Sequence, residues 1–227
     1  MQCTDAALTS STLKRGTRRM VFQGQFLERA IILPVGSAVC EGVWHRGARS
    51  PPVLVLPPPP GEGGMDHVVA AELAWASAQA GHAELRFNFR GVGASQGARG
   101  NFEAQLEDAE AALALVLANT GGRRAVVAAL GASAAMALAL HERRPEVSGL
   151  ALVNPTGIAV RKLARLGLPL LVIAAQHETA SRLELAAAVL SARGTFEVVD
   201  SEDAVFSRNL PAVGHAMVAW LAYLSGD

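Results

Sequence analysis

The stretch Ala125-Val-Val-Ala-Ala-Leu-Gly-Ala-Ser133-Ala-Ala-Met-Ala-Leu-Ala-Leu140 constrains the fold most. Its first half is a short apolar run with two β-branched residues, which reads as a buried strand. Its second half is rich in alanine and leucine, which reads as a helix. Only Gly131-Ala-Ser133 separates them, so the chain reverses within a few residues. A strand that turns sharply into a helix with serine at the apex has the geometry of a nucleophile elbow. Such a turn holds the hydroxyl above a sheet, where nearby amides stabilise an oxyanion. The alternative is a serine that merely caps a buried helix. The usual pattern is Gly-x-Ser-x-Gly, and here the last position is Ala135.

The rest of the chain repeats the alternation of strand and helix. Arg29–Leu33 and Ala38–Trp44 read as strands joined by a turn over Pro34–Ser37. Pro52–Leu56, Ala83–Phe89, Val147–Val153, Pro169–Ala175 and Thr195–Val199 read as further strands. Between them lie helical segments at about Asp66–Ala80, capped by Asp66, at Phe102–Asn119 and at Ala180–Ala192. A last helix is expected over Leu210–Leu224. The pattern predicts an α/β fold: a mostly parallel, doubly wound sheet of about eight strands with an antiparallel edge hairpin. Arg161–Leu168 is too short for an inserted cap domain. Residues 1–19 are polar and predict a flexible arm, leaving 20–227 as one domain.

In such sheets the ligand site lies outside the carboxyl ends of the strands. The loops expected there are Pro57–Gly64, Arg90–Gly97, Gly131–Ala135, Gln176–Thr179 and Asp200–Ser207. Twenty basic and twenty acidic residues cancel, so no global charge draws the chain to nucleic acid or an anionic membrane. The two cysteines and the histidine spacings fit neither a disulfide framework nor a metal site, and no cofactor is implied. No signal pattern or membrane-length apolar run appears, so a cytoplasmic protein is expected. Its partner would be a small-molecule substrate or ligand, with a protein partner or homodimer left open.

The segment Arg86-Phe-Asn-Phe-Arg-Gly-Val-Gly-Ala-Ser-Gln-Gly97 resembles a specific string of the small, lidless bacterial α/β-hydrolases. Pro57-Pro-Pro-Pro-Gly-Glu-Gly-Gly64 is similar to their oxyanion loop, and Asp203-Ala-Val-Phe-Ser-Arg-Asn-Leu210 to their final motif. The resemblance covers about residues 29–224. It implies a serine nucleophile, at Ser133, then an acid after the later strand and a histidine after the last one. This chain departs from the pattern at three places. His177 stands where aspartate is expected, Ala204 where histidine is expected, and Pro57 where the first loop carries histidine.

A serine without an adjacent base is a poor nucleophile. A substitute triad is conceivable, with His177 as base and Asp203, Glu202 or Glu178 as the acid. Because Pro57–Pro60 have no N–H, the oxyanion donors expected are the amides of Ala134 and of the Gly61–Gly64 segment, Gly61 first. His67, at the start of the first helix, is the spare histidine. The resulting expectation is a serine hydrolase lineage acting on a small ester, thioester or amide, with an eroded triad and weak or altered activity. The alternative is a catalytically inactive binding or interaction module. Gly91-Val-Gly-Ala-Ser-Gln-Gly97 as a nucleotide loop is a third reading, with a spacing one residue longer than the dinucleotide fingerprint.

Overall fold

Strands buried on both faces need helices on both faces, and that is the arrangement in the computed structural model, which describes residues 28–176 and 180–226. Fourteen elements run in chain order: β1 (Arg29–Val35), β2 (Ala38–His45), β3 (Arg49–Leu56), α1 (Val68–Gln79), β4 (His82–Phe87), α2 (Phe102–Thr120), β5 (Ala125–Leu130), α3 (Ser133–Arg143), β6 (Val147–Val153), α4 (Val160–Leu163), β7 (Leu170–Ala175), α5 (Ala180–Ser191), β8 (Thr195–Val199) and α6 (Leu210–Ser225). The eight strands form one sheet in the order β1-β2-β4-β3-β5-β6-β7-β8. β1 and β2 form an antiparallel hairpin and β2 meets β4 antiparallel, while every later pairing is parallel. The one-turn helix α4 was not expected. It interrupts the basic segment before β7 by burying Leu163.

The period-2 alternation of the strands sorts the core into two layers. Leu54, Leu56, Leu85, Phe87, Val127, Leu150 and Val172 pack with α2, α3 and α5. Val53, Val55, Val126, Ala151, Leu171 and Ile173 pack with α1 and α6. The helices that follow the adjacent strands β3 and β5 therefore leave on opposite faces. That divergence opens a crevice at their carboxyl ends, where ligands bind in open α/β sheets.

Helix α1 starts one residue later than the cap expected at Asp66. A turn from the His67 amide to the Gly64 carbonyl at 3.0 Å sets the start, and His67 Nδ1 accepts from the Val69 amide at 3.3 Å. Helix α2 begins as its sequence suggests, with Asn101 Oδ1 accepting from the Ala104 amide, and it ends on left-handed Gly121.

At the other end of β4 lies a cluster of His45, Glu84 and Arg86, buried, with the exposed Glu28 at its rim. His45 and Glu84, register partners across β2 and β4, meet at 2.9 Å, and Arg86 reaches Glu28 at 2.7 Å. Burial holds the Glu84 carboxyl above the usual range, with the His45 hydrogen bond and charge opposing. Above the ordinary glutamate value, about 4.3, the unfolded chain ionises while the folded carboxyl keeps its proton. The folded state then binds more protons, so this group costs stability as pH rises from that point. Glu84→Gln is expected to flatten that decline, measured as urea midpoints across a pH series.

Candidate functional site

The string Arg86–Gly97 builds the scaffold of the crevice. Phe87 and Phe89 pack edge to face in the core, with ring centroids 5.1 Å apart. Between them Asn88 ties three segments together. Its Oδ1 accepts from the Met65 amide at 2.7 Å, at the end of the loop after β3. Its Nδ2 donates to Glu41 Oε1 at 2.7 Å, and that carboxylate also receives the Ala94 amide at 2.6 Å. Ser95 Oγ donates to the Asn88 carbonyl at 2.9 Å. Arg90 then anchors the loop to α2. Its amide and its Nε both donate to the fully buried Asp108, at 2.9 and 2.8 Å.

The strand-to-helix reversal after β5 falls at Gly131, not at Ser133. Gly131 has φ +51°, and the next residue, Ala132, is already right-handed helical. An added Cβ at Gly131 would find open space, so only the left-handed backbone bars a side chain there. Ser133 lies two residues further on, as the first residue of α3. It is 1% exposed, and its hydroxyl donates to the Pro57 carbonyl at 2.6 Å. The Ala134 amide turns back to the Gly131 carbonyl at 3.2 Å. Gly61 sits exposed with φ +105° beside a turn in which the Glu62 amide donates to the Pro59 carbonyl.

The loop after β8 arrives at the same edge. Asp203 serves that loop itself. Its Oδ1 accepts the amides of Val205 and Ser207 at 3.1 and 3.0 Å, and its Oδ2 accepts the Ser207 hydroxyl. The Ser207 hydroxyl, then the Ser207 amide, hold its carboxyl below the ordinary aspartate value. Ala204 follows, exposed, with its carbonyl accepting from Asn154 Nδ2 at 3.2 Å. Asn154 also accepts the Ala175 amide at 2.8 Å, so it pins this loop to the ends of β6 and β7. Asn154 is not among the site residues that the sequence pattern singles out. Its signal was asparagine before proline at the end of an apolar run, a residue that tolerates its φ of +42°. Fully buried Phe206, φ +56°, wedges the loop into the layer beneath.

These loops enclose a small open cavity of about 130 Å³, walled by Pro58, Glu62, His67, Gly131, Ala204 and Val205. Burial lowers the His67 pKa, so the ring is neutral at pH 7. With Nδ1 accepting from Val69, the neutral ring carries its proton on Nε2 and is a donor there. Ser133, Ala134 and Asp203 thus share the edge, each already engaged: Ser133 by the Pro57 carbonyl, Ala134 by the turn to Gly131, and Asp203 by its own loop. His177 and Glu178 lie outside the described residues. Among the described residues no three His, Cys, Asp or Glu side chains are grouped to hold a metal ion. None of their helices is long and apolar enough to cross a membrane.

A lidless, doubly wound sheet with its loops converging at the β3–β5 divergence defines an α/β-hydrolase. Residues 62–193 match the serine aminopeptidase S33 family (Hydrolase_4), and the chain belongs to that family. A protein of unknown function from Agrobacterium tumefaciens, described as a candidate α/β hydrolase, has the same fold. Its TM-score is 0.75 at 22% identity, over 88% of this chain and 98% of that one. An α/β serine hydrolase homologue from Coxiella burnetii superposes with TM-score 0.72 at 22% identity, over 84% and 96% of the two chains. An uncharacterised protein of Rickettsia prowazekii is 33% identical over 116 residues, a match spanning 50% of this chain and 49% of that relative.

Proposed function

We propose that this protein is an α/β-hydrolase-fold module that binds a small ligand in the crevice and carries out no serine-nucleophile chemistry. The observation that carries the reading is the position of the bend. The nucleophile of an elbow sits on the strained strand-to-helix turn, with small residues two places before and after it. In Ala129-Leu-Gly131-Ala-Ser133 the strained residue is Gly131, and Ala129 and Ser133 are the flanking small residues. On this register glycine replaces the nucleophile and Ser133 replaces the second glycine. Ala204 then stands across the cavity in place of the base. The hydroxyl of Ser133 supports the same reading, because it is buried and committed to the Pro57 carbonyl.

With the reacting groups replaced by Gly131 and Ala204, the cavity keeps a neutral imidazole donor and the Glu62 carboxylate beside apolar walls. Its size suits a ligand of a few heavy atoms. Cys40, a buried free thiol that burial raises to about 11, supports work in the reducing cytoplasm.

A fluorophosphonate probe and p-nitrophenyl acetate test the reading on the full chain. Wild type is expected to be unlabelled and to hydrolyse the ester at the uncatalysed rate. Ser133→Ala is expected to match it in both assays and to lose about 1 kcal/mol of stability with its buried hydrogen bond. Labelling at Ser133, abolished in that variant, would restore the serine hydrolase reading, with weak activity through a substitute base.

A further inference from the structure

At the opposite edge of the sheet from the crevice is a second, larger cavity of about 450 Å³. It lies where the chain enters β7 and β8 and where α5 and α6 end, and no part of the site above touches it. Its walls include Arg165, Arg193, Trp220 and Tyr223, and no acidic residue lines it. Neither arginine forms an ion pair among the described residues. In a chain of zero net charge, two guanidinium groups lining one cavity, with no ion-pair partner among the described residues, make a local positive site.

Two features of the wall go beyond charge. Trp220 is nearly buried and packs against Gly149, where an added Cβ would lie 3.2 Å from the indole ring. One turn later Tyr223, 76% exposed, leaves a large aromatic surface in water at the same cavity. Arg193 occupies the left-handed position that closes α5, with φ +56°. The Arg193 amide donates to the Leu190 carbonyl and the Gly194 amide to the Val189 carbonyl. Glycine is the usual residue in that conformation, and an arginine there costs on the order of 1 kcal/mol. The helix ends nearby present carbonyl dipoles that disfavour an anion, but these partial charges are smaller than two full guanidinium charges.

We infer that this cavity binds a small organic anion built on a planar ring, its phosphate or carboxylate held by Arg165 and Arg193 and its ring set against Tyr223 and Trp220. The volume lies within the range of small-molecule sites, roughly 300–1,000 Å³. Phosphate and carboxylate both accept the guanidinium fork, so the headgroup alone does not choose between an aryl carboxylate and a nucleoside monophosphate.

Isothermal titration of the full chain with AMP, 2-naphthoate, adenosine and inorganic phosphate tests this. At least one of the two ring-bearing anions is expected to bind with Kd below about 1 mM, and to bind at least about tenfold tighter than adenosine or phosphate alone. AMP alone, naphthoate alone or both identify which headgroup is taken. Arg165→Gln and Arg193→Gly are each expected to weaken that binding about tenfold. Arg193→Gly relieves the left-handed strain, so its Tm should stay at or above wild type and separate lost binding from lost fold. Glu107→Ala, exposed on α2 and far from this cavity, should leave the anion binding unchanged. The inference is overturned if neither anion binds, if phosphate binds as tightly as AMP, or if the arginine variants bind like wild type.

Discussion

Gly131→Ser combined with Ala204→His is expected to give fluorophosphonate labelling at residue 131, where wild type is expected to give none. The bend residue has open space within 4 Å of an added Cβ, so a serine there starts without a backbone or side-chain clash at Cβ. Its strain is the left-handed backbone, about 1 kcal/mol for a residue other than glycine. Residue 204 lines the same cavity, held by Asn154 through its carbonyl, so an imidazole there starts from a loop already in place. A positioned base contributes roughly 10²–10⁴-fold. Hydrolysis of p-nitrophenyl acetate should therefore rise about a hundredfold over wild type, and Gly131→Ser alone should gain far less. Mass spectrometry of the labelled peptide decides the matter: a tag on Ser133 rather than residue 131 would mean that the bend is not where the chemistry belongs.

Asp108→Ala is expected to be the most destabilising single change considered for this chain. Asp108 is fully buried on α2 and accepts both the Arg90 amide and the Arg90 guanidinium. Its loss leaves a backbone donor and a partly buried cation without their partner. Breaking a buried pair from one side costs about 3–5 kcal/mol. At about 2–4 °C per kcal/mol for a chain of this size, the melting temperature should fall by roughly 6–20 °C. Glu107 bonds Arg90 from an exposed position, so Glu107→Ala should cost under about 1 kcal/mol. Equal effects from the two variants would remove Arg90–Asp108 as the anchor of the loop after β4.

Sequence and tertiary structure carry different kinds of information about this chain. The strand segments were legible because apolar runs of five to eight residues bounded by glycine and proline have few alternatives in a chain of this composition. Glycine is the expected stop of three helices, at Gly81, Gly121 and Gly194; the first two carry positive φ, whereas after α5 Arg193 takes the left-handed position instead. The cap of α1 moved from Asp66 to His67 because a tertiary turn through Gly64, itself placed by Asn88, set where the helix begins.

Local pattern determined that this chain makes a doubly covered parallel sheet, since alternation and burial on both strand faces are properties of neighbouring residues. It also placed Arg86-Phe-Asn-Phe-Arg90 at a strand end, though not the partners that Asn88 and Arg90 find 47 and 18 residues away. Only the tertiary structure decided which residue occupies the bend after β5. Gly131-Ala-Ser133 reads equally well as a turn centred on either end. The parallel pairing of Leu130 with Val153, closed by the Gly131 amide on the Val153 carbonyl, ends the strand in the register that puts glycine at the apex. That register is a contact between segments more than twenty residues apart, and no local propensity encodes it.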